Sequence, residues 1–339
     1  MQTLLEKLYK KEHLNSDEIS KFFNRIVRGE VDEITLSSLL TALKIKGETP
    51  EEIAGAALSL RKACTPFEVS APLFADSCGT GGDKSNTINV STLTAFLAAE
   101  CGLPMVKHGN RSVTSKCGSA DVLEHLGATI DLSPNRAQAC FEKAGITFLF
   151  APRYHPGIKH AMNVRKTLAT RTIFNVLGPL INPARPSIQV LGVFDPALTN
   201  PLAETLKLLG TKTALVVHGS GLDEIALHDV TTASLLMDGK VSDLTISPED
   251  LGLNRSPIAA FEGGSVEVNA EMFVKILQGQ GSDEHNQLIA ANTGPLLYLA
   301  GLATDMKDGV GLAYNTLESG RAYARFLKFV EATKMEAAA

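Results

Sequence analysis

The first seventy residues repeat their apolar positions at helical spacing. Leu4, Leu5 and Leu8 mark one face, and Ile19, Phe22, Phe23, Ile26 and Val27 follow the i, i+3, i+4, i+7, i+8 order of a second. Leu36, Leu39, Leu40 and Leu43 mark a third. Thr49-Pro50-Glu51-Glu52 then supplies a cap, a first-turn proline and a capping-box glutamate before an alanine-rich helix. These faces read as core and carry no chemistry, so the segment is expected to pack against something, a second copy of itself being one candidate. From about residue 71 the period changes. Short apolar runs at 104–106, 146–150, 190–194 and 214–217 read as strands with helices between them. Ser133-Pro134 opens one of those helices, and 230–246 reads as a hairpin turning at Asp238-Gly239. The alternation predicts an α/β fold: a small all-helical domain over 1–70, then a large domain over 71–339 whose mostly parallel sheet is flanked by helices.

Composition narrows the class. The chain has 339 residues, 44 % of them hydrophobic, enough for a large core. Its formal net charge is -5 and no long basic run occurs, which disfavours a sequence-independent grip on nucleic acid. Five scattered cysteines without a C-x-x-C pair argue against a disulfide framework or structural zinc and fit a reducing cytoplasm. No apolar run is long enough for a membrane span.

The candidate chemistry centres on Asp76 to Thr92, DSCGTGGDKSNTINVST. Gly79, Gly81 and Gly82 free the backbone to present successive N–H groups to phosphate oxygens, and the apolar run behind them predicts a helix N-terminus facing the same anion. The stretch is neither a Walker loop nor a dinucleotide fingerprint. A plain turn would not need the Asp, Asn, Ser and Thr side chains that follow. A second cluster, Lys107-His108-Gly109-Asn110-Arg111-Ser112, trails the next strand. There Lys107 and Arg111 suit phosphate, while His108 and Asn110 suit a flatter ligand. Ser115, Lys116 and Ser119 extend a polar lip, with Ser119 also placed to cap a helix. Asp223-Glu224, after a strand and a glycine loop, joins Asp83 as a set suited to magnesium. Arg165, Arg171, Arg153, His155 and His160 could each meet an acidic substrate, and their spacing does not choose among them. The 175–183 stretch reads as structural.

At these residues the chain resembles the anthranilate phosphoribosyltransferase family of tryptophan biosynthesis, which has a nucleoside phosphorylase/phosphoribosyltransferase-like fold. The resemblance rests on Cys78 to Asp83, Asn89 to Thr92, Lys107 to Arg111, Gly118 to Asp121, Arg171 to Asn175 and Asp223-Glu224, in that order. It implies transfer of the 5-phosphoribosyl group of 5-phosphoribosyl 1-pyrophosphate (PRPP) to the amino group of anthranilate, with release of pyrophosphate. It implies that Gly79, Gly82, Asp83, Thr87, Asn89, Ser91, Thr92, Lys107 and Ser119 bind PRPP. Gly79, His108, Asn110 and Arg165 would meet anthranilate, and Ser91, Asp223 and Glu224 would hold Mg2+. It further implies a homodimer joined through the helical domain, a helical excursion at about 157–185, and association with an anthranilate synthase component. No residue is assigned as general base. Two rival readings share the fold: a pyrimidine nucleoside phosphorylase, and a nucleic-acid-binding relative, which should be basic.

Overall fold

The computed structural model describes residues 1–83, 85–112 and 116–335. Lys84, Ser115 of the expected polar lip and the 336–339 end lie outside the described residues. The chain opens with α1 (Gln2–Tyr9), α2 (Ser16–Val27), α3 (Glu33–Lys46) and α4 (Pro50–Ala63). Asn15 with Glu18 and Thr49 with Glu52 form complete capping boxes for α2 and α4. The Glu52 carboxylate does more than cap. Fully buried, it also accepts from Leu14 N–H at 2.9 Å and from Lys46 Nζ at 2.8 Å, so one charge fixes three segments. Gly55 lets α4 lie against α2, because a methyl there would overlap Ile19 and the Ser16 backbone.

The second part alternates β1 (Ala75–Gly79), α5 (Val90–Glu100), β2 (Met105–Gly109), α6 (Ser119–His125), α7 (Pro134–Ala144) and β3 (Ile146–Phe150). The chain then leaves the sheet through α8 (Ala151–Tyr154), α9 (Lys159–Leu168) and α10 (Phe174–Leu177), returning as β4 (Ile188–Gly192), α11 (Thr199–Leu208) and β5 (Thr213–His218). A hairpin, β6 (Thr231–Met237) and β7 (Lys240–Ile246), precedes α12 (Val266–Leu277), α13 (Asp283–Leu299), α14 (Met306–Glu318) and α15 (Arg321–Lys334). The seven strands run in the order β3-β2-β1-β4-β5-β6-β7. Pairing is parallel from β3 to β5 and antiparallel onward.

Strand alternation sorts the core onto two faces of the sheet. Ile188, Val190, Leu215 and Val217 join α5, α7 and the four C-terminal helices in one cluster. Leu191, Val193, Ala214 and Val216 join α1–α4, α9, α10 and α11 in the other. The α8–α10 excursion thus packs with the N-terminal helices, with Phe174 ring against Phe23 at 5.5 Å. Buried Arg61 of α4 donates to Leu180 O at 2.7 Å, binding the excursion's exit to the same layer. Among the described residues no helix is long and apolar enough to cross a membrane.

Two local expectations need correction. The strand expected to end at Val106 continues to Gly109, because Lys107 and His108 pair in register with Phe148 and Leu149 and are buried. Gly118 rather than Ser119 caps α6, with Asp121 reaching back to its N–H at 2.8 Å.

Candidate active site

In this strand order the chain reverses its direction across the sheet between β1 and β4, where α/β folds open a crevice beyond their strand ends. Four loops meet there: 79–83 after β1, 109–112 after β2, 193–194 after β4 and 219–224 after β5. Gly79 and Gly192 are register partners, and a methyl on either would overlap Asp223. Both glycines therefore let the Asp223 loop cross over the strand ends. Gly81 and Gly82 take φ of +65° and +77°, which turns the loop where a side chain would be strained. Gly81 N–H donates to Asp223 Oδ2 at 2.7 Å, and Asp223 N–H to Asp83 Oδ2 at 3.4 Å. Asp83 also accepts from Ser85 Oγ at 2.6 Å, and Ser85 Oγ lies 3.4 Å from Thr87 Oγ1.

The entry to α5 continues the same wall. Asn89 stands just before the helix, its Nδ2 on Cys117 O at 3.2 Å and its Oδ1 accepting from Asn269 of α12 at 3.1 Å. Ser91 and Thr92 fill the first turn, and Ser91 N–H donates to Glu224 Oε1 at 3.1 Å. Lys107 reaches Ser77 O at 2.5 Å and Ser91 Oγ at 3.2 Å, which brings a cation from β2 beneath the helix N-terminus. Ser119 Oγ donates to Asn110 O at 3.2 Å, joining the β2 loop to α6.

Three carboxylates, Asp83, Asp223 and Glu224, gather here without an ion-pair partner among the described residues. Burial raises the Asp223 carboxyl to about 7, and the neighbouring Asp83 charge adds to the rise. Burial also lifts Glu224 well above the ordinary carboxylate range, with Asp223 contributing next. Such a set repels itself and fits a hard divalent cation, which would take one or two protein oxygens and leave its other positions to phosphate and water. Among the described residues no group of three or more His, Cys, Asp or Glu is placed to hold a metal ion by itself, so phosphate and water would supply the other positions.

On the excursion side, burial, helped by the His155 ring 5.2 Å away, lowers His108 to about 3, so its imidazole is neutral at pH 7. Its Nδ1 lies 3.3 Å from Gly178 O; a carbonyl only accepts, so Nδ1 carries the proton and buried Nε2, without a partner among the described residues, presents a lone pair. Arg165 lies on α9 with its guanidinium 5.1 Å from the Phe174 ring centroid. Among the described residues no carboxylate pairs with it, and burial lowers its pKa. Arg111 does not join the phosphate wall: it pairs with Glu124 at 2.7 Å and covers Phe150. The sequence reading also missed Asn269, whose only local signal is an amide on the buried face of a helix. Within the 175–183 stretch, buried Asn182 donates to Asp76 Oδ2 at 2.9 Å and Val106 O at 2.8 Å, joining the excursion to β1 and β2.

The arrangement offers an anion cradle and a carboxylate cluster for a divalent ion, with a neutral imidazole on the excursion side. The chain as a whole is similar to known proteins. The helical bundle domain of a glycosyl transferase family matches residues 2–64, and the a/b domain of that family matches residues 71–323. The anthranilate phosphoribosyltransferase of Aeromonas salmonicida is 53 % identical over 318 residues, 94 % of each chain. That of Vibrio parahaemolyticus is 49 % identical over 323 residues, 95 % of this chain and 97 % of the relative. The crystal structure of the Thermus thermophilus enzyme superposes with a TM-score of 0.94 at 38 % identity, covering 98 % of this chain and 99 % of that one. The Saccharomyces cerevisiae enzyme in complex with PRPP and Mg gives 0.88 at 26 % identity, covering 98 % and 97 %.

Proposed function

The chain belongs to the anthranilate phosphoribosyltransferase family, and from that premise we infer that it transfers the 5-phosphoribosyl group of PRPP to the amino group of anthranilate, releasing pyrophosphate, in tryptophan biosynthesis. One observation of its own carries the reading: a glycine loop at the sheet's switch point whose Gly81 N–H meets Asp223, with Glu224 taking the Ser91 N–H at the start of α5.

The site residues follow from this reading. Gly79, Gly82, Asp83, Thr87, Asn89, Ser91, Thr92, Lys107 and Ser119 border the cradle that would take PRPP. Ser91, Asp223 and Glu224 would hold Mg2+, whose chemistry there is to neutralise the diphosphate leaving group. As the C1–O bond of PRPP breaks, positive character gathers at C1 and negative charge on pyrophosphate. Loop N–H groups, the α5 N-terminus and Lys107 are prearranged to stabilise that negative charge. Arg165 would clasp the anthranilate carboxylate, with Gly79, His108 and Asn110 beside the ring. Neutral His108 adds no competing positive charge near the developing centre at C1. An aryl amine is uncharged and nucleophilic at pH 7, so positioning beside C1 supplies much of the remaining rate without an assigned base.

A homodimer through the helical layer belongs to the same reading. Its support is a groove of about 500 Å³ bordered by Tyr9, Ile34, Ala42, Ile45, Val164 and Leu168. A cytoplasmic setting is supported by five cysteines that remain free thiols.

The reading is tested by mixing the purified protein with PRPP, magnesium and anthranilate and following anthranilate fluorescence. Fluorescence should fall only with all components present. No loss, alongside phosphorolysis of thymidine or uridine, would replace this function with that of a nucleoside phosphorylase.

A further inference from the structure

The glycine loop is held from two directions, on either side of Gly81. From the sheet, Thr80 N–H donates to Gly192 O at 2.9 Å and Thr80 Oγ1 accepts from Phe194 N–H at 3.1 Å. From the helical layer, Arg171 Nη2 donates to Gly82 O. The two holds are joined, because the Arg171 guanidinium lies 3.8 Å from the centroid of the Phe194 ring. Thr80, Phe194, Arg171 and Gly82 therefore close a ring of contacts around the turn.

Pinning one carbonyl sets more than one atom. In a planar trans peptide the C=O of Gly82 and the N–H of Asp83 point in opposite directions. Fixing that oxygen on Arg171 therefore aims the Asp83 N–H away from it. Gly82, at φ +77°, belongs to the conformationally freest residue type, so an external hold has the most orientation to determine there. Arg171 suits the task. Its planar fork can lie flat on an aromatic face and still donate at its edge, which an ammonium cannot do. Among the described residues no carboxylate pairs with it, so carbonyl and ring are the partners its geometry serves. It stands six positions after Arg165 in the same excursion, so one short segment would reach the phosphate loop at one end and the amine substrate at the other.

We propose that Arg171 is a positioning residue: through Gly82 and Phe194 it sets the phosphate-binding form of the glycine loop and ties that form to the placement of the segment bearing Arg165. The inference rests on the functional reading above, and its test includes a measurement that does not depend on turnover.

Arg171→Ala, Arg171→Lys and Phe194→Leu are compared with the wild type in two ways. In substrate-free protein, amide hydrogen exchange over residues 77–83 should quicken in Arg171→Ala and Phe194→Leu while the thermal unfolding midpoint stays put. In turnover, Arg171→Ala should raise the PRPP KM about tenfold, the scale of losing one charged hydrogen bond, and leave the anthranilate KM nearly unchanged. Arg171→Lys should fall between, since it keeps charge without the fork. Unchanged exchange across the loop in Arg171→Ala would overturn the proposal. So would a rise in anthranilate KM in place of PRPP KM, which would make Arg171 a ligand of the amine substrate. If the wild type neither binds PRPP nor consumes anthranilate, the functional reading falls, and loop exchange alone still decides whether Arg171 holds Gly82.

Discussion

At the scale of single residues, the site is made by what is missing as much as by what is present. Gly79 and Gly192 carry no side chain, so Asp223 crosses the sheet's end and meets the loop it would otherwise strike. That carboxylate takes the Gly81 N–H, a donor that a phosphate oxygen could claim. Burial raises both carboxyls, Asp223 to about 7 and Glu224 well above the ordinary carboxylate range, with neighbouring carboxylates adding to each rise. A divalent cation would lower both by favouring the charged forms. Arg165 is the mirror case, a guanidinium that no carboxylate meets among the described residues. Arg165→Ala should raise the anthranilate KM on the order of 10- to 100-fold, the worth of a charge-assisted pair, with little change for PRPP. Steady-state kinetics varying each substrate checks this, and equal changes in both constants would remove Arg165 from carboxylate binding.

Elements show where sequence patterns were informative and where they ran out. The helices of the first layer were legible because α2 and α3 bury stripes at helical spacing, and the Thr49-Glu52 box marked the start of α4. The end of β2 was not, because Lys107 and His108 look like loop residues. They are strand residues, and Lys107 Nζ and His108 Nδ1 find Ser77 O, Ser91 Oγ and Gly178 O, partners 16 to 70 positions away that no local period reveals. Asn269 escaped for the same reason, its partner Asn89 lying 180 positions away. The faces of α1, α3 and α9 carry an apolar surplus: Ile34 is 83 % exposed and Ile45 70 %. If that groove joins two copies, Ile34→Asp with Ile45→Asp should halve the mass seen by sedimentation equilibrium, since burying charges in an apolar interface is strongly unfavourable. A wild type that sediments as a monomer, or a variant of unchanged mass, would move the interface elsewhere.

Over the whole molecule, the sheet divides two cores and the site lies where its strand order reverses. The alternation of strand and helix in the sequence predicted the layers, since buried parallel strands read as short apolar runs between helices. It did not predict that the chain would reverse between β1 and β4, because strand order depends on packing between distant segments. That reversal puts the glycine loop beside the Asp223 loop, separated by about 140 residues of chain, and the account depends on this meeting. Calorimetric titration of PRPP into the protein, with and without magnesium, tests it most directly. Magnesium should tighten PRPP binding to the wild type by an order of magnitude or more, and this gain should vanish in Asp223→Asn with Glu224→Gln. The same magnesium gain in both proteins would contradict the account.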